Sequence, residues 1–122
     1  MTPFQHIRLE LAREPGHPAG DPGRGYDIVA ALDGEGRLDA AVCRSAAEHC
    51  RVRAFENDHT VATGRLSHGP GGRWSLHFEA GPAEDATGHH FRDERFVPGE
   101  YVSLTLPDGE QHTYMVASVQ PL

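Results

Sequence analysis

The segment RFVPGEYVSLTLPDGEQHTYMVASVQPL, residues 95–122, decides the fold because it has the pattern of a β-hairpin. From Val102 to Leu106 every second residue is apolar, which is the period of a strand with one dry face. The sequence Pro-Asp-Gly at 107–109 then predicts a turn, since proline presets φ and glycine accepts a positive φ without strain. Residues 112–119 are rich in β-branched and aromatic side chains, as is typical of a partner strand.

The turn leaves two registers open for this hairpin. A type I turn with a glycine bulge places Leu104 opposite His112 and Val102 opposite Tyr114. A two-residue Asp-Gly turn shifts the pairing by one residue and exchanges the two faces. The strands are predicted in either case, and the register decides which side chains point inward.

The rest of the chain adds strands without a β-α-β order. The glycine- and proline-rich segments 14–25 and 81–88 are predicted loops, and 69–72 a turn. The predicted extended segments outside the hairpin are 4–13, 26–32, 51–56, 60–68, 73–79 and 89–96. We therefore predict a mainly β (α+β) fold: a small antiparallel β-barrel of six or seven strands in a single domain, residues 1–122.

One α-helix is predicted at about residues 39–49, covering an open end or edge of the barrel. Asp39 suits the N-cap, and 40–49 is alanine-rich without proline or glycine. The residues expected to face the sheet share helical spacing; they are Leu38, Val42, Ala46 and Cys50.

The two cysteines, Cys43 and Cys50, would lie on one side of that helix. Seven residues of helix separate them by about 10.5 Å along the axis. A disulfide needs Cα atoms within roughly 7 Å. The sequence therefore predicts two free thiols, with neither a disulfide nor a shared metal ion.

Composition and charge narrow the classes of partner. The formal net charge is −7 and the 11 basic residues form no large basic face, so we expect no nucleic-acid binding. No apolar run approaches the roughly 18 residues of a membrane span, and the N-terminus lacks the pattern of a signal peptide. We expect a cytoplasmic protein without membrane contact.

No local signature selects a catalytic residue, so the sequence favours a non-enzymatic binding module. Its partner would be a protein or a small ligand bound at the barrel rim, where the loops 14–25 and 80–95 have the composition of recognition segments. A homodimer through an edge strand is a further possibility. The residues predicted to bind are His89, His90, Arg92, Asp93 and Trp74.

Histidine suggests a divalent metal site as one alternative. His89, His90 and Asp93, with His77 or His68 across the sheet, have suitable ligand atoms. Adjacent side chains on a strand point to opposite faces, so His89 and His90 do not easily share an ion. No metal ligand is therefore assigned.

A flavin site is the other alternative, and it rests on a resemblance. The hairpin contains FVPGEYV before its turn and HTYMVAS after it. This pair resembles the flavin-binding barrel of the ferredoxin-reductase family, in which a PGQ[YF]V strand precedes an R-x-Y-S strand. The resemblance implies that Tyr114 contacts the isoalloxazine ring of FAD or FMN and that Ser118 lies near the diphosphate. The chain departs from this motif at two positions, with His112 where the family has arginine and Met115 where it has serine. Apart from the flavin alternative, we expect no cofactor.

A second resemblance covers more of the chain. The order of GYD, LDGEGRLDA, RVR, PGGRW and FVPGEYVSL resembles that of a group of short, uncharacterised bacterial β-rich proteins. It implies a common fold and no activity.

Overall fold

Each strand of the barrel pairs antiparallel with the next strand along the chain, and the last pairs with the first. The computed structural model describes residues 4–69 and 72–122. Its strands are β1 (Phe4–Leu11), β2 (Asp21–Ala31), β3 (Arg51–Glu56), β4 (His59–His68), β5 (Trp74–Ala80), β6 (Ala86–Gly88), β7 (Tyr101–Thr105) and β8 (Gln111–Pro121). The helical elements are α1 (Ala40–Ser45) and a 3-10 turn, Ala47–His49. The mainly β class and the antiparallel barrel are confirmed, but the described residues form eight strands, not six or seven.

The additional strand is β6, which lies in the predicted loop 81–88. It pairs with β5 at three positions and with β7 only through Thr87 and Thr105. Three residues are too few to show a period-2 pattern, so the strand depends on its neighbours. The predicted extended segment 89–96 contains turns instead. Pro70 and Gly71, the centre of the predicted turn 69–72, lie outside the described residues.

Strand β2 begins at Asp21, inside the predicted loop 14–25. At Gly25 the strands β1 and β2 approach so closely that a Cβ atom would lie 1.9 Å from the carbonyl oxygen of Leu9. Glycine therefore allows a tight strand crossing here, where sequence reasoning treated it as a strand breaker. A bulge between Glu10 and Leu11 accommodates the irregular start of β2.

The closing hairpin adopts the first of its two registers. Val102 lies opposite Tyr114 and Leu104 opposite His112. Gly109 has φ of 89°, and the Leu106 amide donates to the Glu110 carbonyl at 2.8 Å. The glycine-bulge register is thus confirmed, and it directs Tyr114 and His112 toward the barrel interior.

Helix α1 starts as predicted and ends early. The Val42 amide donates to the Asp39 carboxylate at 3.1 Å, which confirms the N-cap. At Ala46 the backbone leaves the helical region (φ −131°, ψ 49°), so the helix predicted over 39–49 is wrong beyond Ser45. Helix propensity alone is a small contribution to the free energy and is easily outweighed by tertiary contacts. Here it is outweighed because the chain has to return to β3 at Arg51 with Cys50 fully buried.

This early end also corrects the separation predicted for the two cysteines. Cys43 and Cys50 are free and buried, as expected. Sγ of Cys50 nevertheless lies 3.8 Å from the Cys43 carbonyl oxygen. The predicted spacing of about 10.5 Å assumed a continuous helix.

The two ends of the barrel differ. The connections 32–50 and 89–100 lie at one end, where α1 packs against β2 and β4 and the rings of Phe91 and Phe96 are buried in edge-to-face contact at 5.1 Å. The Phe96 amide donates to the Gly36 carbonyl at 2.7 Å and joins the two connections. We call this the closed end. The connections 12–20, 57–58, 81–85 and 106–110 lie at the opposite, open end.

Closure of the sheet has a consequence for assembly. Because β8 pairs with β1, each described strand has a neighbour on both sides. The seam between β6 and β7 is the weakest, with the single pair Thr87 and Thr105, and the homodimer expected through an edge strand stays a prediction. No helix in the described part of the chain could span a bilayer.

Candidate functional site

Trp74 does not lie on the surface. It is 1% exposed, and its ring packs against His68 with 4.6 Å between ring centroids. A partner at the rim cannot reach it without unfolding the core. The alternation of Trp74 with polar neighbours, which sequence analysis recognised, is the signature of this core position.

The other predicted binding residues are exposed but lie at the closed end. His89, His90, Arg92 and Asp93 follow β6, and the backbone of His90 accepts from the Asp93 amide at 2.9 Å to form a turn. The predicted rim segment 80–95 therefore runs from one end of the barrel to the other. Its first part, 81–85, lies at the open end, as the 12–20 connection does. Its last part, 89–95, lies at the closed end.

The histidines of the predicted metal site do not converge. His77 hydrogen-bonds to Asp85 at 2.8 Å near the open end, whereas His89 and His90 lie at the closed end. Residues 4–69 and 72–122 contain no group of three or more His, Cys, Asp or Glu side chains arranged to hold a metal ion.

Tyr114 and Ser118 lie on opposite sides of the barrel wall. Tyr114 is buried opposite Leu11, which belongs to the core. Ser118 is opposite Arg8, whose guanidinium contacts Glu10 and Asp58 outside the barrel. Directly paired residues share a face. A ligand inside the barrel can therefore contact Tyr114 but not Ser118.

The open end contains a cavity of about 490 Å³, a size common in small-molecule sites. Mouths of small β-barrels are a recurrent place for such sites. Its walls combine an aromatic base with a charged rim. The residues that line it are Leu11, Glu14, Arg24, Gly25, Tyr26, Ala54, Phe55, Glu56, Val61, Pro82, Ala83, Glu84, Leu106, His112 and Tyr114.

Two tyrosines form the aromatic base. The rings of Tyr26 and Tyr114 meet edge to face with centroids 5.2 Å apart, and Phe78 stacks on Tyr26 at 6.0 Å. Burial raises the pKa of both phenols, so both are neutral under ordinary conditions. A neutral phenol keeps its O–H, which can donate a hydrogen bond to a ligand.

His112 connects this base to the rim. Its Nδ1 lies 2.8 Å from a Glu14 carboxylate oxygen and its Nε2 lies 2.7 Å from one of Glu110. Glu14 comes from the 12–20 connection, 98 residues earlier in the chain. The contact therefore ties together the two segments that flank the β1–β8 seam.

The rim carries excess negative charge. Arg24 lies 3.8 Å from Glu56, and Glu14 contacts His112. Glu84 is exposed and makes no ion pair with the described residues. The cavity lining thus has three carboxylates against one arginine and one histidine, so it favours neutral and cationic ligands over anionic ones.

A second concave region, of about 800 Å³, lies on the outer face of β1–β5. Its charged groups contact one another. Asp27, the one charged side chain buried among the described residues, accepts from His6 Nε2 at 3.0 Å and from Arg53 Nε at 2.9 Å, and Arg65 pairs with Glu79 at 2.9 Å. Asp27, Arg53, Arg65 and Glu79 on this surface thus already have charged partners.

Sequence reasoning missed most of the cavity. Glu14 and Glu84 carried no local signal, because they come from connections far apart in the chain. Tyr114 and His112 lie in the predicted hairpin, and the glycine-bulge register, one of the two left open, places both on the inner face of β8. The apolar alternation of β2 is the signal that could have found Tyr26.

Comparison with known proteins gives no relative. No family model matches the chain, and neither a curated protein nor a solved structure does. The geometry of the cavity is therefore the basis for assigning a function.

Proposed function

We propose that the protein is a non-enzymatic binding module that takes a small planar aromatic molecule, neutral or cationic, into the open end of its barrel. The observation that carries this proposal is the coincidence, in one cavity of about 490 Å³, of the Tyr26–Tyr114 pair with a carboxylate-rich rim.

The aromatic base supports a planar ligand. Tyrosine faces offer apolar area and stacking contacts, and cations bind favourably over such faces. A phenol O–H of this pair can donate a directional hydrogen bond to an acceptor on the ligand. A ring carrying a polar edge would use both features.

The rim supports the choice of charge. Glu84, which has no ion-pair partner within residues 4–69 and 72–122, would attract an amidinium or ammonium group, whereas a carboxylate or phosphate would meet like charge. Both ring nitrogens of His112 are engaged by carboxylates, so we assign this residue to shaping the cavity, not to acid–base chemistry.

Three nearly isosteric probes test the proposal: benzamidine, benzamide and benzoate are cationic, neutral and anionic. In a two-dimensional NMR titration we expect benzamidine and benzamide to bind with roughly millimolar Kd, as small fragments do. The amide shifts should centre on Tyr26, Ala54 and Tyr114. Binding of benzoate as tight as that of benzamidine would overturn the charge assignment, and shifts centred elsewhere would overturn the site.

A matched pair of variants separates the rim charge from general charge effects. Glu84→Gln should weaken benzamidine roughly two- to fivefold, the worth of one exposed charge contact, and leave benzamide unchanged. Asp93→Asn makes the same change of charge at the closed end and should change neither. Equal effects of the two variants would contradict a local role for Glu84.

The flavin alternative is tested on the same protein. An isoalloxazine ring would fit the preference for a planar aromatic, but its phosphate would face the acidic rim. An absorbance scan of the purified protein, followed by titration with FAD and FMN, decides the matter. Stoichiometric flavin would replace the present proposal with an oxidoreductase-like barrel.

A further inference from the structure

The two cysteines form a pair that the cavity does not use. Cys43 lies in α1 and Cys50 immediately precedes β3, at the closed end. Sγ of Cys50 lies 3.8 Å from the Cys43 carbonyl oxygen and 4.0 Å from that of Ala46, and Sγ of Cys43 lies 3.9 Å from the Ala31 carbonyl oxygen at the end of β2. The backbone that leaves the helix after Ser45 thus brings the Cys50 sulfur next to the residue that carries the other thiol.

The environment differs for the two sulfur atoms. The hydrogen bond from Cys50 stabilises the Cys43 thiolate and lowers the pKa of Cys43 below its usual value. The same hydrogen bond, together with burial, raises the pKa of Cys50. Cys43 is therefore the better nucleophile of the pair, and Cys50 holds its proton.

We propose that Cys43 and Cys50 form a dithiol–disulfide exchange site that reduces a low-molecular-weight disulfide and becomes an intramolecular disulfide itself. The Cys43 thiolate attacks one sulfur of the small disulfide, whose S–S bond breaks. The first small thiolate leaves and takes up the proton that Cys43 has lost. Cys50 then loses its proton and attacks the Cys43 sulfur, and the second small thiolate leaves with that proton. One disulfide is reduced to two thiols while the protein loses two hydrogens.

Access to the site requires local opening. Cys43 and Cys50 are 4% and 0% exposed, so a small disulfide cannot reach either in the closed structure. The segment over them consists of a six-residue helix and one 3-10 turn. A helix of this length is not stable alone, and such elements open at lower free energy than the whole fold. Opening of this segment is thus the step that sets the rate.

The first experiment uses the wild-type protein and oxidised glutathione. After reaction, the protein is alkylated and cleaved after arginine, which separates the cysteines into peptides 38–44 and 45–51. We expect these two peptides to be joined by a disulfide in the monomer. Two free thiols after prolonged reaction, or a disulfide between two copies of the chain, would overturn the proposal.

An equilibrium comparison with the unfolded chain tests the geometry without any variant. We expect the effective concentration of the pair, measured against glutathione, to be about tenfold higher in native protein than in urea-unfolded protein, because the fold holds the thiols together. A native value equal to or below the unfolded value would overturn the claim that the fold prepares the pair.

Variants test the order of attack and the gate. Cys50→Ser should accumulate a mixed disulfide at Cys43, and Cys43→Ser should react at Cys50 about tenfold more slowly, because the thiolate is the attacking form. Equal rates in the two variants would contradict the assigned order.

Asp39→Ala tests the opening of the segment, because it removes the cap of α1 and should speed oxidation of the native protein about fivefold. Asp93→Ala is the control, and an unchanged rate in Asp39→Ala would contradict gating by this segment.

Discussion

Gly88 lies directly beneath the ring of Phe91, and this contact should make Gly88→Ala strongly destabilising. A Cβ atom at Gly88 would lie 2.4, 2.5 and 2.7 Å from three atoms of that ring, well inside the contact distance of about 3.5 Å. Phe91 is fully buried against Phe96 and cannot swing into solvent. Overpacking of this kind costs about 1–3 kcal/mol. We expect about 2 kcal/mol in urea unfolding, or about 8 °C in Tm.

A second glycine provides the control, and a double variant tests the mechanism. At Gly34 an added Cβ meets nothing within 4 Å, so Gly34→Ala should change the free energy of unfolding by less than about 0.5 kcal/mol or stabilise slightly. Combining Gly88→Ala with Phe91→Leu should destabilise by at least about 1 kcal/mol less than the sum of the single changes. If Gly88→Ala behaves like Gly34→Ala, the packing of Phe91 on β6 and the closed end built on it are wrong.

Three further predictions concern buried polar groups. Because burial raises the pKa of Tyr26 and Tyr114, the unfolded chain releases these protons at lower pH than the native protein, so stability should fall as pH rises past about 10. In Tyr101→Phe, which removes the exposed phenol, tyrosinate absorbance should rise only as the protein unfolds; a native rise near pH 10 would contradict the burial. Tyr114→Phe removes a buried hydroxyl beside Tyr26 and should cost about 1–2 kcal/mol in urea unfolding, and a stabilised variant would contradict a contribution of this hydroxyl to the fold. Asp27→Asn weakens the contacts with His6 and Arg53 and should cost about 1–3 kcal/mol, against less than about 0.5 kcal/mol for an exposed aspartate; equal values would remove any structural role for this buried carboxylate.

The parts of the fold that local chemistry dictates were predictable. The closing hairpin followed from its Pro-Asp-Gly turn; its register, with Val102 opposite Tyr114, is one of the two that the turn left open. The start of α1 followed from the capping side chain of Asp39. In both places the residues that decide the structure are neighbours in the sequence.

The remaining parts depend on contacts between distant segments. β6 has three residues and exists because β5 and β7 supply its hydrogen bonds. The end of α1 at Ser45 follows from the need to return to β3, which outweighs the propensity of the next alanines. No local pattern encodes either feature.

The candidate site divides in the same way. His112 and Tyr114 belong to the predicted hairpin, and one of its two possible registers directs both inward. Glu14 and Tyr26 reach them only because β8 pairs with β1 and closes the barrel. His89 and Asp93 were grouped with the loop 14–25 by composition, which holds no information about the end of a barrel at which a connection lies.

The most direct test of the account is a measurement of intermolecular nuclear Overhauser effects between bound benzamidine and the protein. A binding site in the open end of the barrel predicts contacts from the ring protons of benzamidine to the aromatic protons of Tyr26 and Tyr114, and none to residues 89–93. Contacts to the closed end, or to the outer face around Arg53 and Arg65, with none to the two tyrosines, would contradict a binding site in the open end of the barrel.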